Sequence, residues 1–184
     1  DYRDDSSLLV AIMTGAGRAF SVGADLKEMT AQGQPAGTRA LRTPSREEVW
    51  KPIIAAIDGY ALAGGFGMAL ECDIRIATER SKLGDVTTRV GAWGPLRVYN
   101  KIPFGEALYM HLTGTPFSAE DAHRIGLVHK VLPDRDALMR EADAMAEEIK
   151  LAAPLALQAM KRLAHTSLMK TGDDVDVLSR SLVQ

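Results

Sequence analysis

Cysteine is almost absent from the chain, since Cys72 is the only one among 184 residues. A single cysteine excludes an internal disulfide and favours a reducing compartment, so we expect a cytoplasmic location. Long apolar runs are also missing, because no stretch approaches the roughly 18 residues that a membrane-spanning helix needs. We therefore expect no membrane partner.

A large excess of one charge is lacking too. The chain has 22 basic and 24 acidic residues and a formal net charge of −2, so no strong field attracts a nucleic acid. The G-x-G-x-x-G dinucleotide fingerprint is absent, and no His, Cys and Asp cluster has metal-ligand spacing. We expect no nucleic-acid partner, no metal and no bound cofactor.

What is present is an ordinary globular composition, with 46% hydrophobic and 25% charged residues. The length is that of one domain with a sizeable core. The first residues, DYRDDSSLLV, lack the order of a signal peptide and are typical of a helix end that enters a buried strand. We therefore expect the chain to begin inside a longer protein.

Strands and helices alternate in the predicted secondary structure. Buried strands are predicted at LLVAIMTG (8–15, parallel), KPIIAAIDGYALAG (51–64), DIRIAT (73–78), SKLG (81–84) and LVHKVLP (127–133). Helices are predicted at 64–72, 103–113, 118–126, 134–151 and 154–168, with a short one at 25–31 and a loop at 32–46. The alternation predicts an α/β fold with crossover connections.

Two turns of small residues, SVGAD (21–25) and ALAGG (61–65), each follow a predicted strand. The carboxyl ends of parallel strands form the usual ligand crevice, and free N–H groups at a helix start favour negative charge. Two N–H groups that converge on one oxygen would make an oxyanion hole. Alternatively, the small residues only let a helix pack tightly on the sheet, and spacing alone leaves both interpretations open.

Four segments resemble, in order, the enoyl-CoA hydratase/isomerase (crotonase) family: GAGRAFSVGADLKEM, KPIIAAIDGYALAGG, ALECDIRIAT and TGTPFSAEDAHRIGLVHKVLP. The resemblance implies a spiral of ββα units followed by C-terminal helices. On this basis we assign residues 1–133 to an N-terminally incomplete core domain and 134–184 to an incomplete helical region. It also implies an acyl-CoA thioester as substrate, no separate cofactor, and a homotrimer or dimer of trimers.

The resemblance implies that the backbone N–H groups of Ala24 and Gly64 form the oxyanion hole. Further substrate contacts would come from the same two segments, at Gly23, Asp25, Leu26, Tyr60, Leu62 and Gly65. Trp93 is a candidate wall of the acyl pocket.

The sequence departs from the hydratase pattern at both acid/base positions. Gly67 and Thr87 stand where the resembling hydratases have glutamates. Neither residue can serve as a carboxylate base at neutral pH. Asp85, two residues before Thr87, is a candidate substitute, although it could equally be a solvated turn residue.

Other polar residues have more ordinary interpretations. We expect Glu71 to pair structurally, Asp73 to fix local backbone, and His111 to be buried and hydrogen-bonded. Arg18 and Lys27 are candidates for contacts with CoA phosphates, but a solvated surface explains them equally well.

These observations predict an enoyl-CoA hydratase/isomerase-type lyase of fatty acid metabolism that stabilises a thioester enolate. Two alternatives stay open. One is a non-catalytic or weakly active acyl-CoA-binding homologue, and the other is an isomerase of the family that uses a different base.

Overall fold

The computed structural model describes residues 1–24, 43–45, 47–92 and 94–167. These residues form two four-stranded sheets, in the orders β1-β3-β5-β8 and β2-β4-β6-β7. The strands are β1 Ala11–Thr14, β2 Ala19–Ser21, β3 Ile53–Ile57, β4 Tyr60–Leu62, β5 Ile74–Thr78, β6 Lys82–Gly84, β7 Phe117–Ser118 and β8 Lys130–Leu132.

Five α-helices lie in the described residues: one follows β4, one follows β6, one follows β7, and two follow β8. They are α1 Gly64–Glu71, α2 Phe104–Thr113, α3 Ala119–Arg124, α4 Arg135–Ile149 and α5 Pro154–Ser167. Two short 3₁₀ helices, Thr87–Val90 and Leu96–Asn100, lie between β6 and α2. No helix of this described part is both long and apolar enough to cross a membrane.

Strands β1 to β6 alternate between the two sheets, β7 stays in the sheet of β6, and the pairing is parallel except between β6 and β7. The predicted α/β class with crossover connections is therefore confirmed. The single strand predicted over 51–64 is wrong, because the chain changes sheets at Asp58 and Gly59. Gly59 has φ +76°, and a Cβ there would lie 2.2 Å from the Arg18 carbonyl oxygen, so glycine is required at this turn.

Strand β3 supplies the centre of the core, and all five of its residues are buried. Ile53, Ala55 and Ile57 pack in one hydrophobic cluster that also contains residues of α1. Ile54 and Ala56 point the other way, into a cluster with Leu138 and Ala142 of α4. Because both faces are covered, the strand is a continuous apolar run rather than an alternating one.

Capping residues fix the start of α3 and the end of α2. The Ser118 hydroxyl accepts a hydrogen bond from the Asp121 N–H at 3.0 Å, and Gly114 ends α2 in the left-handed conformation with φ +61°. Strand β7, in contrast, was not predicted, because two residues are too few to show a period.

Some expectations are not tested by the fold. The predicted short helix at 25–31 lies outside the described residues, as does most of the predicted loop at 32–46. The division at residue 133 stays a prediction, although α4, which follows it, packs directly on β1, β3, β5 and β8.

A buried carboxylate that pairs with two more exposed arginines holds the turn between β3 and β4. The Asp58 carboxylate is 1% exposed and accepts hydrogen bonds from the Thr78 hydroxyl at 2.9 Å and the Arg80 Nε at 2.7 Å. The Arg135 Nη1 lies 3.6 Å from the Asp58 Oδ2. The hydrogen bond from Arg80, and to a smaller extent that from Thr78, lowers the pKa of Asp58.

We predict that Asp58→Asn lowers the free energy of unfolding by about 1–2 kcal/mol at pH 7, because the paired charge is lost. A lowered native pKa contributes stability above the unfolded value of about 3.9, and that stability is lost as pH falls through the native pKa. The difference between the two proteins should therefore shrink towards pH 3 in urea unfolding experiments.

Asp143→Asn is the matched control, since Asp143 is exposed on α4. It should unfold like the unchanged protein at every pH. A constant difference for Asp58→Asn across the pH series would contradict the prediction.

Candidate active site

Three turns lie side by side at one edge of the second sheet. Strands β2, β4 and β6 are parallel neighbours, so their carboxyl ends, Ser21, Leu62 and Gly84, share this edge. The turns that follow are Gly23–Ala24, Ala63–Gly64 and 85–87. Ligand crevices of parallel sheets form at such edges.

The first two turns touch through their backbones. Gly23 has φ +92°, and a Cβ at this position would lie 2.9 Å from the Gly64 nitrogen and 3.3 Å from the Ala63 Cβ. Ala24 follows directly and is exposed. The structure thus brings together the two turns that the sequence singled out. They lie so close that position 23 has no space for a side chain.

Helix α1 starts at this contact with two glycines. The Gly64 N–H is the first of the helix and therefore has no acceptor within it. Gly65 is required by packing, because a Cβ there would lie 2.2 Å from the Ser21 carbonyl oxygen. Tight packing thus explains Gly65, and the neighbouring Gly64 N–H faces the Gly23 turn without an acceptor inside the helix.

Ala63 has an unusual conformation for a residue with a side chain, with φ 51° and ψ −121°. Such backbone conformations cost about 1–3 kcal/mol and persist only where neighbours impose them. Here the Ala63 N–H donates to the Gly84 carbonyl at 3.1 Å, and its own carbonyl accepts from the Gly67 N–H at 2.9 Å. The turn is therefore fixed from both β6 and α1.

Arg75 anchors the other end of α1. Its buried guanidinium donates to the carbonyls of Cys72 and Leu127 at 2.7 Å each and to that of Ala69 at 3.5 Å. Burial lowers the pKa of Arg75. A cation at a helix C-terminus complements the helix dipole, whose positive end lies at Gly64. Sequence reasoning missed this role, and the available signal was an arginine inside the apolar strand DIRIAT.

The two acidic residues next to α1 are structural, as predicted. Glu71 accepts from the Ser45 N–H at 3.2 Å and pairs with the Arg97 Nε at 2.8 Å. Asp73 accepts from the Ile53 N–H and from the Lys161 ammonium, both at 2.8 Å. The second pair ties α5 to the sheet.

Gly67 lies under Pro95. A Cβ on Gly67 would be 3.3 Å from the Pro95 Cβ, which is tighter than ordinary van der Waals contact. A carboxylate side chain at this position would require Pro95 to move by a few tenths of an ångström. The space above Gly67 is thus partly taken by Pro95, which directly precedes the 3₁₀ helix Leu96–Asn100.

Asp85 is fully buried, and it is not a solvated turn residue. Its Oδ1 accepts from the Thr87 N–H at 3.2 Å, and its Oδ2 accepts from the Thr87 hydroxyl at 2.8 Å. The backbone of Gly94 covers the carboxylate, since a Cβ on Gly94 would lie 1.9 Å from Oδ2. Asp85 is therefore separated from the surface, and both of its carboxylate oxygens bind the half-buried Thr87.

His111 lies on the other side of Asp85. Its Nδ1 is 2.9 Å from the Tyr99 hydroxyl oxygen, and its Nε2 is 3.5 Å from the Asp85 Oδ2. The predicted buried and hydrogen-bonded state is confirmed. Within the described part of the chain, Nε2 is one of the few buried side-chain atoms without a hydrogen-bond partner.

The remaining candidates fall into two groups. Tyr60 and Arg18 are exposed, and Leu62 is half-buried. Asp25, Leu26, Lys27 and Trp93 lie outside the described residues. Within 1–24, 43–45, 47–92 and 94–167, no group of three His, Cys, Asp or Glu side chains could hold a metal.

Cys72 is buried, and His123 and His129 each contact a backbone carbonyl. Burial raises the pKa of the Cys72 thiol to about 12, so it is not a nucleophile at neutral pH. The His123 Nδ1 lies 3.0 Å from the Val128 carbonyl oxygen, and the His129 Nδ1 lies 3.2 Å from that of Arg75.

Comparison with protein families identifies the family to which this architecture belongs. The model of the enoyl-CoA hydratase/isomerase family matches residues 1–180. The chain belongs to this family. Solved enoyl-CoA hydratases from Mycobacterium marinum and Mycobacterium tuberculosis superpose with TM-scores of 0.87 at 35% and 34% identity. They match 99% and 98% of this chain and 73% of their own, which confirms the crotonase-like fold.

Two relatives of known activity extend the comparison. The (E)-benzylidenesuccinyl-CoA hydratase of Thauera aromatica is 40% identical over 88% of this chain. The short-chain-enoyl-CoA hydratase of Clostridium acetobutylicum is 36% identical over 91% of it. This member of the family spans 66% and 68% of the length of these two proteins.

We predict that Ala63→Gly stabilises this family member by about 1 kcal/mol, because glycine adopts the positive φ without strain. Thermal unfolding measures the change. Ala61→Gly, in the adjoining strand β4, is the control and should destabilise, since Ala61 is fully buried in the core. A lower unfolding temperature for Ala63→Gly would show that the turn carries no strain.

Proposed function

We propose that this protein processes acyl-CoA thioesters by stabilising an enolate with the backbone N–H groups of Ala24 and Gly64. The observation that carries the proposal is the backbone contact between their turns, where Gly23 approaches Gly64 too closely for any side chain. The anchoring of α1 by Arg75 supports the same assignment, because it fixes the helix that presents the Gly64 N–H.

The chemistry follows from the thioester. Its carbonyl acidifies the α-carbon, and proton removal or addition at the β-carbon places negative charge on the carbonyl oxygen. Two preorganised N–H donors stabilise that charge, and loss of one such donor typically lowers kcat by about 10²–10³-fold. The proposed site therefore lowers the barrier to any reaction that passes through the enolate.

The proposed substrate class is an α,β-unsaturated acyl-CoA, and the proposed reaction is the addition of water. Named relatives support this, since two of them are hydratases of CoA thioesters. In this proposal the CoA ester is the substrate, no separate cofactor takes part, and the protein works as a cytoplasmic homotrimer or dimer of trimers.

Gly67 and Thr87 favour a second candidate, since neither position carries a carboxylate. The short distance of 3.3 Å from a Cβ at position 67 to the Pro95 Cβ also supports this candidate, because it leaves little room for a longer side chain. The second candidate is therefore an acyl-CoA-binding homologue without turnover. An isomerase that uses another base is the third.

The deciding experiment combines two measurements on the same protein. Hydration of crotonyl-CoA is followed by the loss of enoyl absorbance, and binding of butyryl-CoA is followed by titration calorimetry. Binding with turnover supports the hydratase, whereas binding without turnover on several enoyl-CoAs supports the binding protein. Migration of the double bond in 3-enoyl-CoA without hydration supports the isomerase.

We predict that Gly23→Ala lowers kcat for crotonyl-CoA by about 100-fold or more, because its Cβ displaces the Gly64 N–H from the oxyanion position. Gly17→Ala is the control, since a Cβ on Gly17 meets nothing within 4 Å. Thermal unfolding checks that both variants fold. If folded Gly23→Ala turns over like Gly17→Ala, the two turns do not form the oxyanion hole.

A further inference from the structure

We propose that Thr87, Asp85 and His111 form a proton relay that takes the place of the absent glutamates. This inference rests on the proposed function, because it assigns the acid/base group of the same site. Thr87 would contact the attacking water, Asp85 would hold the proton behind Thr87, and His111 would act as a positioning residue for Asp85.

The position of the relay follows from the sheet. The Gly84 carbonyl accepts the Ala63 N–H at 3.1 Å, so the chain that continues into Asp85 and Thr87 starts beside Gly64. Of the three turns at this edge, the first two provide N–H groups. The third provides a side-chain hydroxyl with an acid behind it.

Burial determines the order of the groups. The Asp85 carboxylate is completely covered, with Gly94 above it, and cannot touch a substrate directly. It is contacted by the half-buried Thr87, whose hydroxyl donates a hydrogen bond to the Asp85 Oδ2 at 2.8 Å. A threonine hydroxyl has one proton to give and two lone pairs that accept, so it can pass a proton between water and a carboxylate.

His111 completes the relay from the inside. The Tyr99 hydroxyl oxygen lies 2.9 Å from Nδ1, and Nε2 faces the Asp85 Oδ2 at 3.5 Å. In the tautomer in which Tyr99 donates to Nδ1, the imidazole N–H is at Nε2 and is directed at Asp85. This distance is longer than a hydrogen bond, and buried polar atoms without partners are rare. Catalytic hydrogen bonds are often long before the substrate binds, and we infer that this one shortens in the complex.

The proton balance needs no further reagent. A water proton moves to the Thr87 oxygen as the Thr87 proton moves to Asp85. The hydroxide oxygen bonds to the β-carbon, and the electron pair of the double bond moves to the thioester oxygen as an enolate. The proton then returns from Asp85 through Thr87 to the α-carbon, so that one water is added and Asp85 is again a carboxylate.

Thr87→Val tests the relay with little change of shape. We expect kcat for crotonyl-CoA hydration to fall by about 100-fold or more, since general acid–base groups contribute about 10²–10⁴-fold. Binding of butyryl-CoA should be unchanged, because the hydroxyl acts on water and not on the CoA. Thr87→Ser retains the hydroxyl and should keep most of the activity.

Asp85→Asn tests the group behind the hydroxyl. It should lower kcat as Thr87→Val does, and the double variant should be no slower than either single one, since the two residues act as a unit. A merely structural Asp85 would give additive losses. If Asp85→Asn does not fold, the comparison of valine and serine at position 87 decides. Thr88→Val is the control, because Thr88 is exposed.

A second readout separates the relay from the proposed function. In D₂O the relay should exchange the α-protons of butyryl-CoA, and Thr87→Val should abolish the exchange. If the unchanged protein hydrates crotonyl-CoA and Thr87→Val does so equally well, the relay is wrong and the proposed function stands. If the protein binds butyryl-CoA with neither hydration nor exchange, relay and enzyme are both wrong and acyl-CoA binding remains.

Discussion

The close backbone approach between the Gly23 turn and the start of α1 is the constraint on which the site depends. Parallel pairing of β2 and β4 brings the two turns to one edge, but a side chain at Gly23 or Gly65 would keep them apart, because each Cβ would meet backbone within 3 Å. Ala63 holds a conformation normally reserved for glycine to complete this approach. The cost of these glycines to helix α1 is offset by the contact that they permit.

The rest of the fold holds that contact in place. Strand β3 is buried on both faces, and its turn into β4 is held by Asp58 with Arg80. At the far end of α1, the buried guanidinium of Arg75 binds the last carbonyls of the helix. Charge is thus buried on both sides of the site, and each buried charge has partners that fix an element leading to the edge.

The same edge shows how positions 67 and 85 are packed. Pro95 leaves little room above Gly67, whereas Gly94, one residue earlier, leaves room for the Asp85 carboxylate beneath it. Residues 94 and 95 therefore crowd position 67, where the resembling hydratases have a glutamate, and also cover the Asp85 carboxylate. In our proposal this exchange moves the base from a side chain that touches the substrate to one that acts through Thr87.

Much of the fold could be predicted from the sequence, because apolar runs, Ser118 and Gly114 act over a few neighbouring residues. Local patterns also located the two turns at Gly23 and Gly64, whereas the expectation of glutamates at positions 67 and 87 came from the family resemblance alone and stays a prediction. They could not show that the strand over 51–64 changes sheets, since this depends on the crowding of Gly59 by Arg18. Nor could they show that Asp85 is buried against His111, because residues 26 positions apart are joined only by packing of the sheet on α2. The sequence determined which chemical groups are available, and the tertiary structure decided which of them meet.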